Sequence, residues 1–309
     1  MIRLQWQLVI LGIAVLNCVA ASAQPQAESE SQVRELRVMT FNVLVDISLR
    51  PPIPPWVIRK DLCLRAVRDA NPDIIVFEEN SPYQFKFWKN SLPDYDSLGS
   101  VVLKPEEMRD IVGEFPILQL LGLETYTDVL IFFKKDMFDK LDEGHWWLSP
   151  TPEKVSRGFG NFTPRILIWA KLRHRLTGRE FVVAGTHFDN TMPSQVEMAR
   201  LSHELLQPFA DNGLPMLFLG DFNTDQKRGD YSKLISDGWR DSYVVCPQAS
   251  AEGRDDNVPT GPDKGDTRID HIFYHGTMFA PVEWKRLESP DPSKLMSDHY
   301  PVFARFEMR

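Results

Sequence analysis

Six short apolar runs in this chain meet an acid, an amide or an imidazole at one end, and that recurrence limits the fold more than any bulk property. "VMTF" runs into Asn42, "IIVF" into Glu78 and Glu79, and "VVAGT" into His187 and Asp189. "LFLG" runs into Asp221 and Asn223, and "RI" into Asp270 and His271. The triplet Ser297-Asp298-His299 precedes the last run instead of following it. Runs this short, bounded by turn-forming residues, read as buried strands. Antiparallel neighbours bring the start of one strand beside the end of another, so all six polar sets are expected on one rim of a sandwich. In "FLGDFNTD", Gly220 clears space while Asp221 and Asn223 take alternate positions, which on a strand share a face.

Punctuation between the runs supplies the rest of the organisation. "LRVMTFNVLV" is a strand, and "PPIPPW" is a stiff loop that neither a helix interior nor a central strand accommodates. "VIRKDLCLRAVRDANPD" has helical spacing and stops at Asn71-Pro72. "DVLIFFKKDMF" reads as a strand and turn; "RILIWAKLRH" and "REFVVAGTHFDN" flank "RLTG", a hairpin connection. "SQVEMARLSHELLQPFADNG" is an amphipathic helix with Gly213 near its end. Strands outnumber helices, which predicts a mixed α/β sandwich over a regular doubly wound sheet. Residues 104–124 and 247–267 are expected to be loop-rich. No internal repeat or interior linker interrupts a single domain over residues 36–309.

The first 23 residues carry Arg3, an apolar stretch from Leu8 to Ala20 and the A-x-A pattern Ala21-Ser22-Ala23, and read as a cleaved signal peptide. Residues 24–35 read as a flexible leader, and the mature protein is expected to be secreted or periplasmic. Attachment of lipid through Cys18 fits less well, because Asn17 stands where a small residue is expected. Cleavage leaves Cys63 and Cys246, which could pair; Cys63, inside the helical pattern, reads better as a small buried hydrophobe. No CxxC or His-rich cluster points to structural zinc.

The formal net charge of −8 argues against a protein that coats nucleic acid through a basic face. It does not exclude a phosphate substrate, since a bound cation supplies positive charge. Carboxylates and amide oxygens are hard donors suited to Mg²⁺ or Mn²⁺. Imidazoles beside carboxylates can meet an anionic oxygen or move a proton. There is no GxxxxGK[ST] loop and no GxSxG elbow. Metal-assisted attack of water on a phosphoester is what remains.

In order, "TFN", "PDIIVFEE", "GTHFDN", "GDFNTD", "RIDHIF" and "SDHYPV" resemble the endonuclease/exonuclease/phosphatase superfamily from Leu36 to Arg309. "FKKDMFDKLDEGHWWLSPTPE" and "TPRILIWAKL" are similar to a secreted bacterial branch of it. The resemblance implies a DNase I-like, four-layered α/β sandwich of two packed mixed β-sheets flanked by helices. It implies Glu79 as the main metal ligand, with Asn42 and Asp298 on the metal side. His187 would donate to a phosphate oxygen and His299 would contact the scissile phosphate. Asp221 would orient or deprotonate water, Asn223 would position Asp221 or the phosphate, and Asp270 would hold His299. Two departures stand out. Glu78 occupies a place usually held by glutamine, and alternation would turn it to the other face. "FNVLVD" lacks the arginine usual two residues after the asparagine, a phosphate-contact role that Arg165 is placed to take. His271 should face away from the site.

The leading expectation is a secreted hydrolase of a phosphodiester or phosphomonoester, with small or lipid-linked phosphates ahead of nucleic acid. "KLRHRLTGR" is a local basic patch that reads as a solvated hairpin, and "EGHWWLSP" reads as core before it reads as a membrane-entering hairpin. A nuclease is the second reading, and a non-catalytic binding module on the same fold the third. No motif points to a protein partner.

Overall fold

Alternation in the first two strands sets the layers. In β1 (Glu35–Asn42) Leu36 and Val38 face one side and Met39 and Phe41 the other; β2 (Ile74–Glu78) repeats this with Ile74 and Val76 against Ile75 and Phe77. Such strands need cover on both faces. The computed structural model describes residues 35–47, 50–104, 107, 125–161, 163–247, 260–262, 265 and 267–309. The expected signal peptide, nearly all of the leader and most of residues 104–124 and 247–267 lie outside them.

The other strands are β3 (Tyr95–Leu98), β4 (Val101–Val102), β5 (Thr125–Tyr126), β6 (Leu130–Lys134), β7 (Phe138–Trp147), β8 (Ile166–His174), β9 (Glu180–His187), β10 (Met216–Asp221), β11 (Trp239–Asp241), β12 (Asp270–His275), β13 (Phe279–Arg286) and β14 (Val302–Met308). One sheet runs β13-β14-β1-β2-β6-β3, the other β11-β12-β10-β9-β8-β7, and β4 with β5 forms a small hairpin. Both large sheets are mixed, with β1–β2 and β9–β10 parallel.

Val38, Val76, Val183, Leu217, Leu219 and Ile272 pack between the sheets. The outer face of the first sheet is covered by α1 (Trp56–Ala70) and α2 (Pro82–Ser91), through Trp56, Cys63, Val67 and Trp88. The outer face of the second is covered by α3 (Met192–Asp211), through Met198, Ala199 and Leu206. Two short helices, α4 (Gly229–Leu234) and α5 (Ser242–Val245), complete the described elements. Helix, sheet, sheet, helix is the four-layered order expected.

Helix ends follow the sequence punctuation. The chain leaves α1 through Asn71 at φ 46°, in the left-handed region that Asn tolerates, directly before Pro72. The start of α2 is a capping box: Ser81 Oγ accepts from Gln84 N at 3.2 Å and Gln84 Oε1 accepts from Ser81 N at 3.0 Å. Cys63 lies under α1 and Cys246 between the sheets; both are buried thiols, so no disulfide joins them. Trp147 is buried between the sheets and Trp146 stacks on Trp169, which makes the tryptophans of "EGHWWLSP" packing groups. In the basic hairpin, Lys171 and Arg173 pair with Glu180, and Arg175 pairs with Asp139.

Candidate active site

Strand register builds the rim. Asp221 pairs with His187 across the parallel β9–β10 ladder and with Asp270 across the antiparallel β10–β12 ladder. Residues opposite one another on one face are in contact range, so one row of the second sheet carries Asp221 between the His187 imidazole and the Asp270 carboxylate. Asp270 opens β12 instead of closing a strand; its antiparallel direction is what brings it to the rim. In the facing sheet Asn42 pairs with Glu78, and the start of β14, at Val302, pairs with Thr40, which delivers Ser297-Asp298-His299 to the same end. Strands β9 and β10 can lie side by side at this end because Gly220 lacks a side chain: a Cβ there would stand 2.0 Å from the carbonyl oxygen of Thr186, its partner on β9.

Asp221 is the centre. Its Oδ1 accepts from the Asn223 backbone at 2.9 Å, and its Oδ2 accepts from Asn42 Nδ2 at 3.0 Å. The same Asn42 nitrogen donates to Glu79 Oε1, also at 3.0 Å, so one amide ties together carboxylates from both sheets. Nε2 of His187 and Nε2 of His299 each stand 3.7 Å from Asp221 Oδ2, beyond hydrogen-bond reach. Both imidazoles therefore aim an N–H edge at one small region without spending it on the carboxylate.

Each imidazole is backed by an acid at its other nitrogen. His299 Nδ1 is 2.8 Å from Asp270 Oδ2, and His187 Nδ1 is 3.1 Å from Asp128 Oδ1. Burial alone would pull the His299 pKa down, but Asp270 and Asp221 outweigh it and push it up to about 10. For His187, burial and Arg165 pull down while Asp128 and Asp221 carry it above its usual value. Burial works to raise Asp221, yet His299 and His187, with the Asn223 and Asn42 donors, hold it below the usual carboxylate range. The centre is one carboxylate faced by two imidazoles, each biased toward its protonated form.

Asp128 is the residue that sequence reading missed. It lies two residues before β6, much as His299 precedes β14, but a single aspartate in "YTDVL" looks like a turn former. Tyr126 donates to its Oδ2 at 3.4 Å, and Arg165 Nη1 lies 3.6 Å from that oxygen. Arg165 is nearly buried between Asp128 and Asp189, 3.7 Å from the latter, and its charge reaches Glu79. The structure thus brings Arg165 to the wall of the centre. Asn223 reaches Asp221 through its backbone N–H, while its side chain donates to the Phe188 carbonyl at 2.9 Å. Asp298 is buried and ion-paired to Arg50, a second residue the sequence did not single out. His271 faces the helical layer, with Nε2 2.8 Å from the Thr224 carbonyl oxygen and Nδ1 beside Arg268, away from the rim as expected.

Glu78 keeps the orientation that alternation assigns, and Glu79 departs from it. Glu78 continues the inward face of Ile74 and Val76, is fully buried, and accepts from Thr40 Oγ1 at 2.6 Å. Glu79 has φ 57°, a left-handed conformation costing about 1–3 kcal/mol for such a residue, and this turn swings its carboxylate to Asn42 and the Val45 N–H. Burial, with Asp270, Asp221 and Asp128 nearby, holds the Glu78 carboxyl well above its usual 4.5. A carboxyl that stays protonated when folded but ionises when unfolded contributes most below that usual value, and the contribution falls as pH rises above it. Glu78→Gln is neutral throughout. It should melt close to the wild type near about pH 4 and progressively above it toward about pH 8. A constant difference in Tm between those pH values would refute the neutral Glu78.

The donor set fits a divalent cation. Ligand atoms of Asp221, Asp270 and His299 lie within 4.8 Å of one another, and Glu79 and Asp298 add hard oxygens at the same rim; Asn42 turns its amide nitrogen to Glu79, and its oxygen accepts from Leu44 N at 3.1 Å. Because His299 Nδ1 already faces Asp270 and its Nε2 faces Asp221, that trio is better described as an ion-paired group than as a cage. Glu79, steadied by the Asn42 amide, is the better oxygen donor.

A model of the endonuclease/exonuclease/phosphatase family matches residues 39–299. A protein of Acanthamoeba polyphaga mimivirus is 26% identical over 270 residues, covering 82% of this chain and 92% of that protein. A mannosyl-6-phosphatase of Bacteroides thetaiotaomicron is 26% identical with a TM-score of 0.69, over 88% of this chain and 99% of that one. The human nocturnin catalytic domain, solved with a bound sulfate, is 20% identical with a TM-score of 0.67, over 89% of this chain and 95% of that one, a likeness of fold alone.

Proposed function

This chain belongs to the endonuclease/exonuclease/phosphatase family, and we propose that it is a divalent-metal-dependent hydrolase of small phosphoesters, with sugar phosphomonoesters its leading substrate class. One observation carries the reading: two acid-backed imidazoles converge on a single oxygen of Asp221, each 3.7 Å away. Fixed N–H donors beside a carboxylate are what a developing phosphoryl charge and an attacking water require. The likeness to a mannosyl-6-phosphatase and the net charge of −8 support a small phosphate over a nucleic-acid polymer.

Glu79, with Asn42 and Asp298 beside it, would hold Mg²⁺ or Mn²⁺, which when bound supplies positive charge to the phosphoryl oxygens. The chain's own residues do the rest. Asp221 Oδ2 accepts a proton of the attacking water and aims its lone pair; with its pKa depressed it orients more than it deprotonates. His187 Nε2 and His299 Nε2 donate to non-bridging or leaving oxygens. Asp128 and Asp270 hold the two rings with Nε2 turned to the rim, Asn223 holds Asp221, and Arg165 offers a further cation to the phosphate. Residues 1–23 support export, so that the enzyme acts in the periplasm or outside the cell.

The test is a panel of p-nitrophenyl phosphate, bis-p-nitrophenyl phosphate, mannose 6-phosphate, sphingomyelin and plasmid DNA, each with Mg²⁺, Mn²⁺ or EDTA. Metal-dependent turnover of the monoesters, lost in EDTA and restored by Mn²⁺, is expected. Preferential cleavage of DNA would move the substrate to nucleic acid. Turnover of nothing under any ion would favour a binding module.

A further inference from the structure

Arg59 is 1% exposed, and no carboxylate lies within ion-pair distance of it among the described residues. Its guanidinium is spent on backbone carbonyls. Nη1 donates to the Val43 carbonyl and, at 2.9 Å, to the Met296 carbonyl; Nη2 donates to the Leu44 carbonyl. Val43 and Leu44 directly follow Asn42, and Met296 directly precedes Ser297-Asp298-His299. The chain turns through Leu44 at φ 54°, where Gln84 Nε2 also donates to the Leu44 carbonyl at 3.0 Å. From the same helix, Cys63 Sγ donates to the Met296 carbonyl at 3.4 Å. The Trp56 ring lies 5.0 Å from the guanidinium carbon, and the acids whose charge reaches it are Asp298 and Glu79.

A buried cation without a counter-ion is a poor way to fill a core, since an apolar side chain of similar volume does so without desolvation. What Arg supplies and an apolar residue lacks is a rigid fork that bonds several acceptors at fixed angles. We propose that Arg59 is a positioning residue that sets the distance between the loop carrying Asn42 and the loop carrying Asp298 and His299, through three main-chain carbonyls. This rests on the reading of the rim as a phosphoesterase centre. A misplacement of about 1 Å in such a centre costs on the order of a hundredfold in rate. Lysine keeps the charge but offers a single nitrogen, which cannot reproduce two donors at the fork spacing.

The experiment compares the full-length wild type, Arg59→Lys and Arg59→Ala in the Mn²⁺-loaded state. It measures kcat and KM on p-nitrophenyl phosphate, Mn²⁺ affinity by calorimetry and melting by circular dichroism. Folded Arg59→Lys should lose at least about tenfold in kcat, with KM within about twofold and Mn²⁺ binding weakened, at temperatures well below its melt. Wild-type kcat and Mn²⁺ affinity in folded Arg59→Lys would overturn the proposal, as would a kcat loss seen only while it melts. A cleft of about 100 Å³ lined by Pro54, Ile58, Arg59, Leu62, Lys294 and Leu295 gives methylguanidinium a route to the vacated place in Arg59→Ala. Return of kcat with methylguanidinium, and not with methylammonium, supports the fork; return of the fold without kcat counts against it. If neither variant folds, Arg59 serves the core and the idea fails. A wild type inactive on every phosphoester would sink the proposed function instead, and the Mn²⁺ affinities would still decide Arg59.

Discussion

Asp221→Asn should lower kcat about a thousandfold, within the 10²–10⁴ range typical of acid–base groups, and leave the fold in place. Both imidazole Nε2 atoms face this carboxylate, each at 3.7 Å, and it accepts from Asn42 and from the Asn223 backbone. The amide can still accept from Asn223, but its own NH₂ then meets the Asn42 NH₂, and no charge remains to hold water or to favour the protonated rings. Both His187 and His299 should therefore titrate lower in the variant, which imidazole NMR resonances would show. The position is buried, but the replacement is isosteric, so a loss of rate with a two-state melt close to wild type is the expected pairing. Turnover within about tenfold of wild type would remove Asp221 from the chemistry.

Asp270→Asn should move the alkaline edge of activity. In the wild type, His299 stays protonated up to about 10, because Asp270 and Asp221 together outweigh burial. A raised folded value means that its contribution to stability is complete below the usual 6.5 and is lost as pH rises through about 10. Removing the charge 2.8 Å from Nδ1 takes away the larger of the two opposing attractions. The variant should lose its high-pH activity toward neutrality, and its stability advantage over the range between those two values should shrink. His299→Ala, which deletes the N–H itself, should cost about 10²–10⁴-fold in kcat at every pH. A kcat/KM profile with an unchanged alkaline edge in Asp270→Asn would show that His299 is not held charged by this pair.

Much of this arrangement is legible in the sequence because strand ends are set by polarity. An apolar run of strand length stops where its side chains reach the rim, so Asn42, His187, Asp221 and Asp270 reveal their height in the sandwich, and pairing register aligns them. The rest depends on quantities that sequence pattern does not carry. Asp128, two residues before β6, backs an imidazole as Asp270 does at the start of β12, but one aspartate before a strand is chemically indistinguishable from a turn residue. The placement of Glu79 at the rim hangs on its single left-handed φ. Strand β7 escapes a pattern search because most of its middle is solvated, with Lys140, Leu141, Asp142 and Glu143 in sequence. Helix α2 begins at a capping box whose reciprocal bonds are plain in the fold, but whose sequence, "NSPYQF", also reads as a loop. Arg50 and Arg59 lie beside the proline-rich loop and at the start of α1, where charged residues usually mean solvent.

Crystals of the protein soaked with Mn²⁺ and inorganic phosphate, with anomalous scattering recorded at the manganese edge, address the central claim most directly. The manganese peak should fall against the Glu79 carboxylate, beside Asn42, with phosphate between the His187 and His299 rings. Manganese elsewhere on the surface, or phosphate out of reach of both imidazoles, would contradict the assignment of this rim as a phosphoester-cleaving centre.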